Sequence, residues 1–204
     1  MKLYYLPGAC SLADHIVLEW IGKPYDTQKM TREGIKSPEY LKMNPAGAVP
    51  VLQDDDGWTL TENVAILGYL ADMNPHATLL GNGTPRGRAE VMRWLAYLNS
   101  DVHKAFLPLF GPGRLIKDES QHEELQHKAR DRIRTLLAPL DRQLNGKEWI
   151  TGQRSLADPY LFVILRWAKK FEIDLQDYSN LSRFVEHIQK DAGVQKALQK
   201  EGLS

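Results

Sequence analysis

The chain has 204 residues, 43% hydrophobic and 25% charged, a balance that lets it bury a core and stay in solution as one domain or two small ones. Lys+Arg and Asp+Glu both number 26, so the formal net charge is zero, which removes the basic footprint of a nucleic-acid binder. No run approaches the ~20 apolar residues of a spanning helix. The opening Met1-Lys2-Leu3-Tyr4-Tyr5-Leu6-Pro7 is too short and aromatic for a signal peptide, so the expected location is cytoplasmic and away from the membrane.

The first element is a short apolar strand, Lys2 to Leu6, stopped by Pro7-Gly8. A helix pattern follows, with Leu12/Ala13, Ile16/Val17 and Trp20/Ile21 recurring every three to four residues until Gly22. Tyr25 to Met30 reads as a second, weaker strand, giving a strand–helix–strand unit with parallel strands. Ser37-Pro38-Glu39 opens a short helix, with Ser at the cap and Pro in the first helical position. Val49-Pro50-Val51-Leu52 enters a third strand, Asp54-Asp55-Asp56-Gly57 is a hairpin turn, and Trp58-Thr59-Leu60 pairs back antiparallel. Thr61 is expected to cap the next helix, which carries Val64, Ile66, Leu67 and Leu70 and ends at Asn74-Pro75.

His76 to Arg88 is rich in Gly, Pro, Thr and Asn and has the character of a linker. Beyond Pro85 the strand signals vanish. Helical periodicity covers roughly 85–109, 119–144, 155–171 and 180–191, with a break at Pro108 and Gly111-Pro112-Gly113 and a capping box at Ser155/Asp158. The second half is therefore all-α, and the expected division is 1–77, a linker at 78–86, and 87–204.

Cys10 is the only cysteine, so it forms no disulfide within the chain and no thiolate zinc cluster. The six histidines form no HxxxH pair, and no metal site is expected. Cys10 and Ser11 fall where a Pro-Gly turn feeds a helix, so free amides and the positive end of the helix dipole favour a thiolate there. Equally, Cys10 fits as a small buried apolar residue. Thr61-Glu62-Asn63 opens another helix, suited to an α-carboxylate and an ammonium, or simply to ordinary capping. Val49-Pro50 presents a strand edge to an extended peptide if its bond is cis; most X–Pro bonds are trans.

Three segments in the first half carry a family resemblance. Met1-Lys2-Leu3-Tyr4-Tyr5-x-Pro7-Gly8-Ala9-Cys10-Ser11-Leu12 is followed by Asn44-Pro45-x-Gly47-x-Val49-Pro50-x-Leu52, then by Leu60-Thr61-Glu62-x-Val64-Ala65-Ile66. With Trp149-Ile150-x-Gly152 and Ala157-Asp158-x-Tyr160-Leu161-Phe162 in the second half, the chain resembles the bacterial beta-class glutathione S-transferases. The resemblance implies an α/β thioredoxin-like N-terminal domain of order βαβαββα that binds glutathione, and an all-α helical-bundle C-terminal domain that shapes a hydrophobic acceptor site. It implies glutathione as cosubstrate, a small electrophilic or disulfide substrate, and a homodimer.

Carried over by position, the resemblance assigns catalytic roles to Cys10, Ser11 and His103. Cys10 is the cysteine able to form a mixed disulfide with glutathione. Arg32, Val49, Pro50, Glu62, Asn63 and Lys104 become glutathione-binding residues, Val49 through its backbone and Glu62 and Asn63 at the γ-glutamyl end. The sequence departs from the family at Ala96, where an asparagine is usual; Asn99 and Ser100 are the nearest polar residues. The basic residue after the second strand is Arg32 by spacing and Lys36 by type. A disulfide reductase or reductive dehalogenase on the same scaffold, or a ligand-binding protein without turnover, are the alternatives.

Overall fold

The computed structural model describes residues 1–203. Strand β1 (Lys2–Tyr5) leads through a turn into helix α1 (Ser11–Ile21), which Gly22 ends in the left-handed conformation, and β2 (Asp26–Lys29) returns parallel to β1. Ser37 caps α2 (Pro38–Met43) by accepting the Tyr40 N–H, as its position before proline predicts. Strands β3 (Val51–Gln53) and β4 (Thr59–Thr61) form the predicted hairpin. The sheet order is β2-β1-β3-β4, with β3 antiparallel to β1 in the register Leu3↔Leu52.

Helix α3 (Asn63–Asp72) completes the βαβαββα order, and Leu3, Leu12, Ile16, Leu52, Ile66, Leu67 and Leu70 are buried between sheet and helices. Thr61 is not the cap of α3. It is the last residue of β4, and Glu62 occupies the cap position with no side-chain capping bond.

Among the described residues the second half carries helices joined by turns and no strand. Thr84 caps α4 (Pro85–Tyr97), whose axis continues through a wider π-type turn (Leu98–Val102) into α5 (His103–Ala105). Pro108 lies in the first turn of α6 (Leu107–Phe110), where a missing N–H costs little. Then come α7 (His122–Gln143), α8 (Ala157–Lys170), α9 (Ser179–Ile188) and α10 (Ala192–Glu201). Helix α8 is buried almost all round, and α1 packs against both α8 and α10, so the two halves share one continuous apolar core.

At the start of α8 only the Asp158 half of the expected capping box forms: the Ser155 hydroxyl donates to Asp158 instead of accepting a helix amide, and the cap residue Leu156 makes no side-chain capping bond. Asp158 accepts the Ser155 N–H at 2.7 Å, the Ser155 hydroxyl at 2.8 Å and the Ile150 N–H at 2.8 Å. Helix α10, in contrast, extends past the last predicted helix. Its signals are an Asp191 cap that accepts from Gly193 and Val194, Gly202 at the far end, and Val194, Ala197, Leu198 and Glu201 on one buried face.

Candidate functional site

A hollow of about 190 Å³ opens where the first turn of α1, the strand entry to β3, the start of α3 and the π-type turn of the second half converge. Cys10, Val49, Pro50, Glu62, Asn63 and His103 line it, so six of the nine site residues drawn from sequence meet in one place. Asn44, Ala46, Ala48, Asn99 and Tyr160 complete the lining.

Cys10 occupies the cap position of α1, and its thiol donates to the Val49 carbonyl at a sulfur–oxygen distance of 3.5 Å. The Val49–Pro50 bond is cis. The segment leading to it is tied down by Tyr40 Oη and Asn44 Nδ2, which both donate to the Ala48 carbonyl, at 2.7 and 2.8 Å. From the opposite side, Asn63 Nδ2 donates to the Cys10 carbonyl at 2.9 Å and links the starts of α1 and α3. Its Oδ1 is buried with no hydrogen-bond partner among the described residues.

Helix-start amides lead one to expect a thiolate at Cys10, and the surroundings reverse that. Burial pushes the thiol up to about 12, and the neighbouring carboxyl of Asp14 adds to the rise. Asp14 is itself fully buried and held well above the usual carboxylate range by desolvation. In the hollow as it stands, Cys10 is a hydrogen-bond donor.

Ser11 does not reach the hollow. It is fully buried, and its hydroxyl donates to the Leu6 carbonyl at 3.3 Å and accepts the Leu6 N–H at 3.4 Å, which closes the turn between β1 and α1. Arg32 and Lys104 are exposed and outside the lining, as is Lys36. The resemblance makes Lys104 a glutathione-binding residue beside His103, but consecutive residues on a helix face different ways, and only His103 turns into the hollow.

Glu62 sits at φ +72°, a region that costs a side-chain-bearing residue about 1–3 kcal/mol. Glycine would relieve that cost, yet the position holds a carboxylate that lines the hollow. Backbone strain at a site-lining residue points to function rather than folding.

His103 receives the most structure. Its Nδ1 lies 2.7 Å from Tyr160 Oη, and Tyr160 Oη donates to Asn99 Oδ1 at 2.9 Å. The imidazole packs edge-on against Trp167, with ring centroids 4.7 Å apart. Burial, with Lys104 second, lowers His103 to about 4, so the ring is neutral near pH 7. The sequence names Tyr160 only within the family motif and Asn99 only as a polar residue near Ala96, and assigns neither a site role; the first sits among core residues of α8, and the second depends on the π-type turn for its direction.

Trp167 also donates from Nε1 to the Gly8 carbonyl at 2.8 Å, so it is both core and site support. Next to it Phe106, Phe110 and Phe171 form an aromatic wall, with Phe110 5.0 Å from Trp167 and 5.3 Å from Phe171 by ring centroid. Leu107, Phe110 and Leu115 are exposed apolar side chains on the same segment.

A two-layer sheet-and-helix unit with a sulfur-bearing helix start, joined to a helical bundle that contributes a histidine, defines a glutathione-transferase type of protein. The family described as glutathione S-transferase, N-terminal domain matches residues 9–73, and that described as glutathione S-transferase, C-terminal domain matches residues 92–191. The chain belongs to the glutathione S-transferase family. It is 48% identical to the glutathione S-transferase GST-4.5 of Xanthomonas campestris, covering 100% of both chains. The solved glutathione S-transferase from Xylella fastidiosa superposes with a TM-score of 0.95 at 48% identity, covering 100% of this chain and 99% of the other. A bacterial beta-class glutathione S-transferase from Sphingomonas chungbukensis gives 0.88 at 40% identity with full coverage of both. Other solved relatives are complexed with glutathione.

Proposed function

We propose that the hollow at Cys10 holds glutathione in extended form, its cysteinyl unit along Val49 and its γ-glutamyl end at Glu62 and Asn63. The chain is a glutathione S-transferase with glutathione as cosubstrate. The observation that carries the assignment of residues is the convergence on one hollow of the Cys10 thiol, the Val49 backbone and the buried, unpartnered Asn63 Oδ1. An acceptor of that kind suits the ammonium of an amino-acid end group, and the Glu62 carboxylate beside it suits the same charge.

In this reading the glutathione sulfur lies between Cys10 and His103. On binding, the Cys10 S–H turns from the Val49 carbonyl to the developing thiolate, which frees that carbonyl for the cysteinyl N–H, and the neutral imidazole of His103 takes the proton. The sulfur then forms a bond to an electrophilic carbon while the leaving group departs with its electron pair. Within the aromatic cluster of Phe106, Phe110, Trp167 and Phe171, Phe106 is fully buried and Trp167 nearly so, and the exposed Phe110 offers apolar surface to an electrophile. Ser11 holds the turn, and Arg32 and Lys104 approach glutathione only if they swing inward. Reduction of a mixed disulfide through Cys10 is the second reaction the same contacts support, and it needs a thiolate, which desolvation and the Asp14 carboxyl disfavour at Cys10.

We divide the chain into a glutathione-binding domain at 1–77, a linker at 78–86 and a helical domain at 87–204; the end of α3 at Asp72 supports the first boundary, and α4 starts at Pro85, two residues before the second. A homodimer accounts for the exposed apolar Leu41, Trp58 and Met73 on the first domain. The lone cysteine suits the cytoplasm. Turnover of an aryl halide with glutathione by the wild-type protein and by Cys10→Ala tests the assignment: retained conjugation supports transfer to carbon, and loss confined to disulfide substrates separates the second reaction.

A further inference from the structure

The three-residue chain Asn99–Tyr160–His103 has a direction. Asn99 lies in the π-type turn and presents Oδ1, an acceptor, to Tyr160. A phenol has one proton. With that proton given to Asn99, Tyr160 Oη has only lone pairs for its second neighbour, so the bond to His103 at 2.7 Å must carry the imidazole's proton. Burial keeps Tyr160 as a phenol, because it pushes the hydroxyl up from its ordinary value, so the proton stays available.

We infer that Asn99 and Tyr160 are positioning residues that fix His103 as the Nδ1–H tautomer, leaving the Nε2 lone pair for the sulfur in the hollow. The tautomer decides what the histidine can do. With Nε2 unprotonated, His103 faces a thiol as a proton acceptor; with Nε2–H it would face a thiolate only as a donor. On accepting the proton the ring becomes an imidazolium whose Nδ1–H still points at Tyr160 Oη, so the chain needs no rearrangement during the step. The S–H bond breaks, the N–H bond forms at Nε2, and the electron pair stays on sulfur. The role in catalysis rests on the glutathione reading above; the tautomer does not.

The groups facing His103 from the packed elements are Tyr160 and Trp167 of α8, with Lys104 and Asn99 on its own helix. Lys104 is the charged neighbour of His103, and its ammonium opposes protonation of the ring. Nothing in the first domain competes for Nδ1 among the described residues.

The test is the ¹⁵N spectrum of histidine-labelled protein near pH 7, with His103 assigned by its absence in His103→Gln. The expected wild-type signal is Nδ1 protonated and Nε2 pyridine-like; a protonated Nε2 overturns the inference in the wild-type protein itself. In Asn99→Ala, Tyr160 is released to donate, and a partial shift of the proton to Nε2 is expected. Asn99→Asp restores the acceptor and is expected to restore Nδ1–H. If Asn99→Ala keeps a pure Nδ1–H spectrum, the direction of the chain is not set by Asn99 and the proposal fails. In Tyr160→Phe, kcat for aryl-halide conjugation is expected to fall about tenfold with KM for glutathione unchanged. Binding of glutathione, measured separately, fails only if the hollow is not its site, whatever the tautomer.

Discussion

Glu201, the last residue of α10, accepts the Gly8 N–H at 2.8 Å, so the end of the chain holds the turn that presents Cys10. Its other oxygen meets His15 Nδ1 at 3.0 Å, with both side chains fully buried. The Gly8 carbonyl is taken by Trp167 of α8. Both polar atoms of one residue in the first half are therefore fixed by the second half. Glu201→Ala leaves Gly8 and His15 without their partner in the interior, and unfolding in urea is expected to show a loss of about 3 kcal/mol or more. Lys128→Ala on α7 removes an exposed pair with Glu124 and is expected to leave stability nearly unchanged. Equal effects from the two would place the clamp elsewhere.

Glu62→Gly separates strain from function. Glycine adopts φ +72° freely, so the variant is expected to gain up to about 1 kcal/mol of stability and to raise KM for glutathione at least tenfold. A less stable variant with unchanged KM would mean that the Glu62 carboxylate serves the fold.

Cys10 gives a pH prediction opposite to the one drawn from its position at a helix start. With the thiol at about 12 instead of 9.0, its thiolate at pH 7 is about a thousandfold scarcer than that of an ordinary cysteine. Alkylation by iodoacetamide in the absence of glutathione is expected to be slow at neutral pH and to accelerate only in strongly alkaline buffer. The linked stability has the matching sign: the folded state keeps the proton longer, so this contribution is complete below pH 9 and lost as pH rises through 12. Fast labelling with a midpoint below 8.5 would restore the helix-start argument.

His103 is lowered, so its sign is reversed. The neutral ring contributes fully above its unfolded value near 6.5, and the contribution is lost as pH falls through 4. In kcat/KM, which reports the free enzyme, the acid limb due to His103 is expected near 4. His103→Gln is expected to remove that limb and to lower kcat about 100-fold. An acid limb near 6.5 in the wild-type protein would show a solvated histidine.

The local chemistry of the first half was readable because its punctuation is local: Pro7-Gly8, the Ser37 cap and the Asp54–Gly57 turn each set the structure of a few neighbours. Helix α10 was not read, because Ala192–Glu201 is mostly polar and its burial comes from Val194, Ala197 and Leu198 meeting α1, a contact no window of sequence contains. Cys10 stands at the start of α1, a placement its local turn predicts, whereas the burial and the Asp14 carboxyl that raise its thiol depend on the closed fold. Ser11 carried the family's hydroxyl in the right place in the chain but is turned to Leu6. Tyr160 and Asn99 are 61 residues apart and come together through the π-type turn, whose extra residue per turn has no signature in the sequence.

Calorimetric titration with reduced glutathione, on the wild-type protein and on Asn63→Ala, bears most directly on the hollow beside Cys10. One equivalent per chain, bound at millimolar affinity or tighter and weakened at least tenfold in the variant, is the predicted result. Saturable binding that Asn63→Ala leaves untouched, or no binding at millimolar concentration, would contradict it.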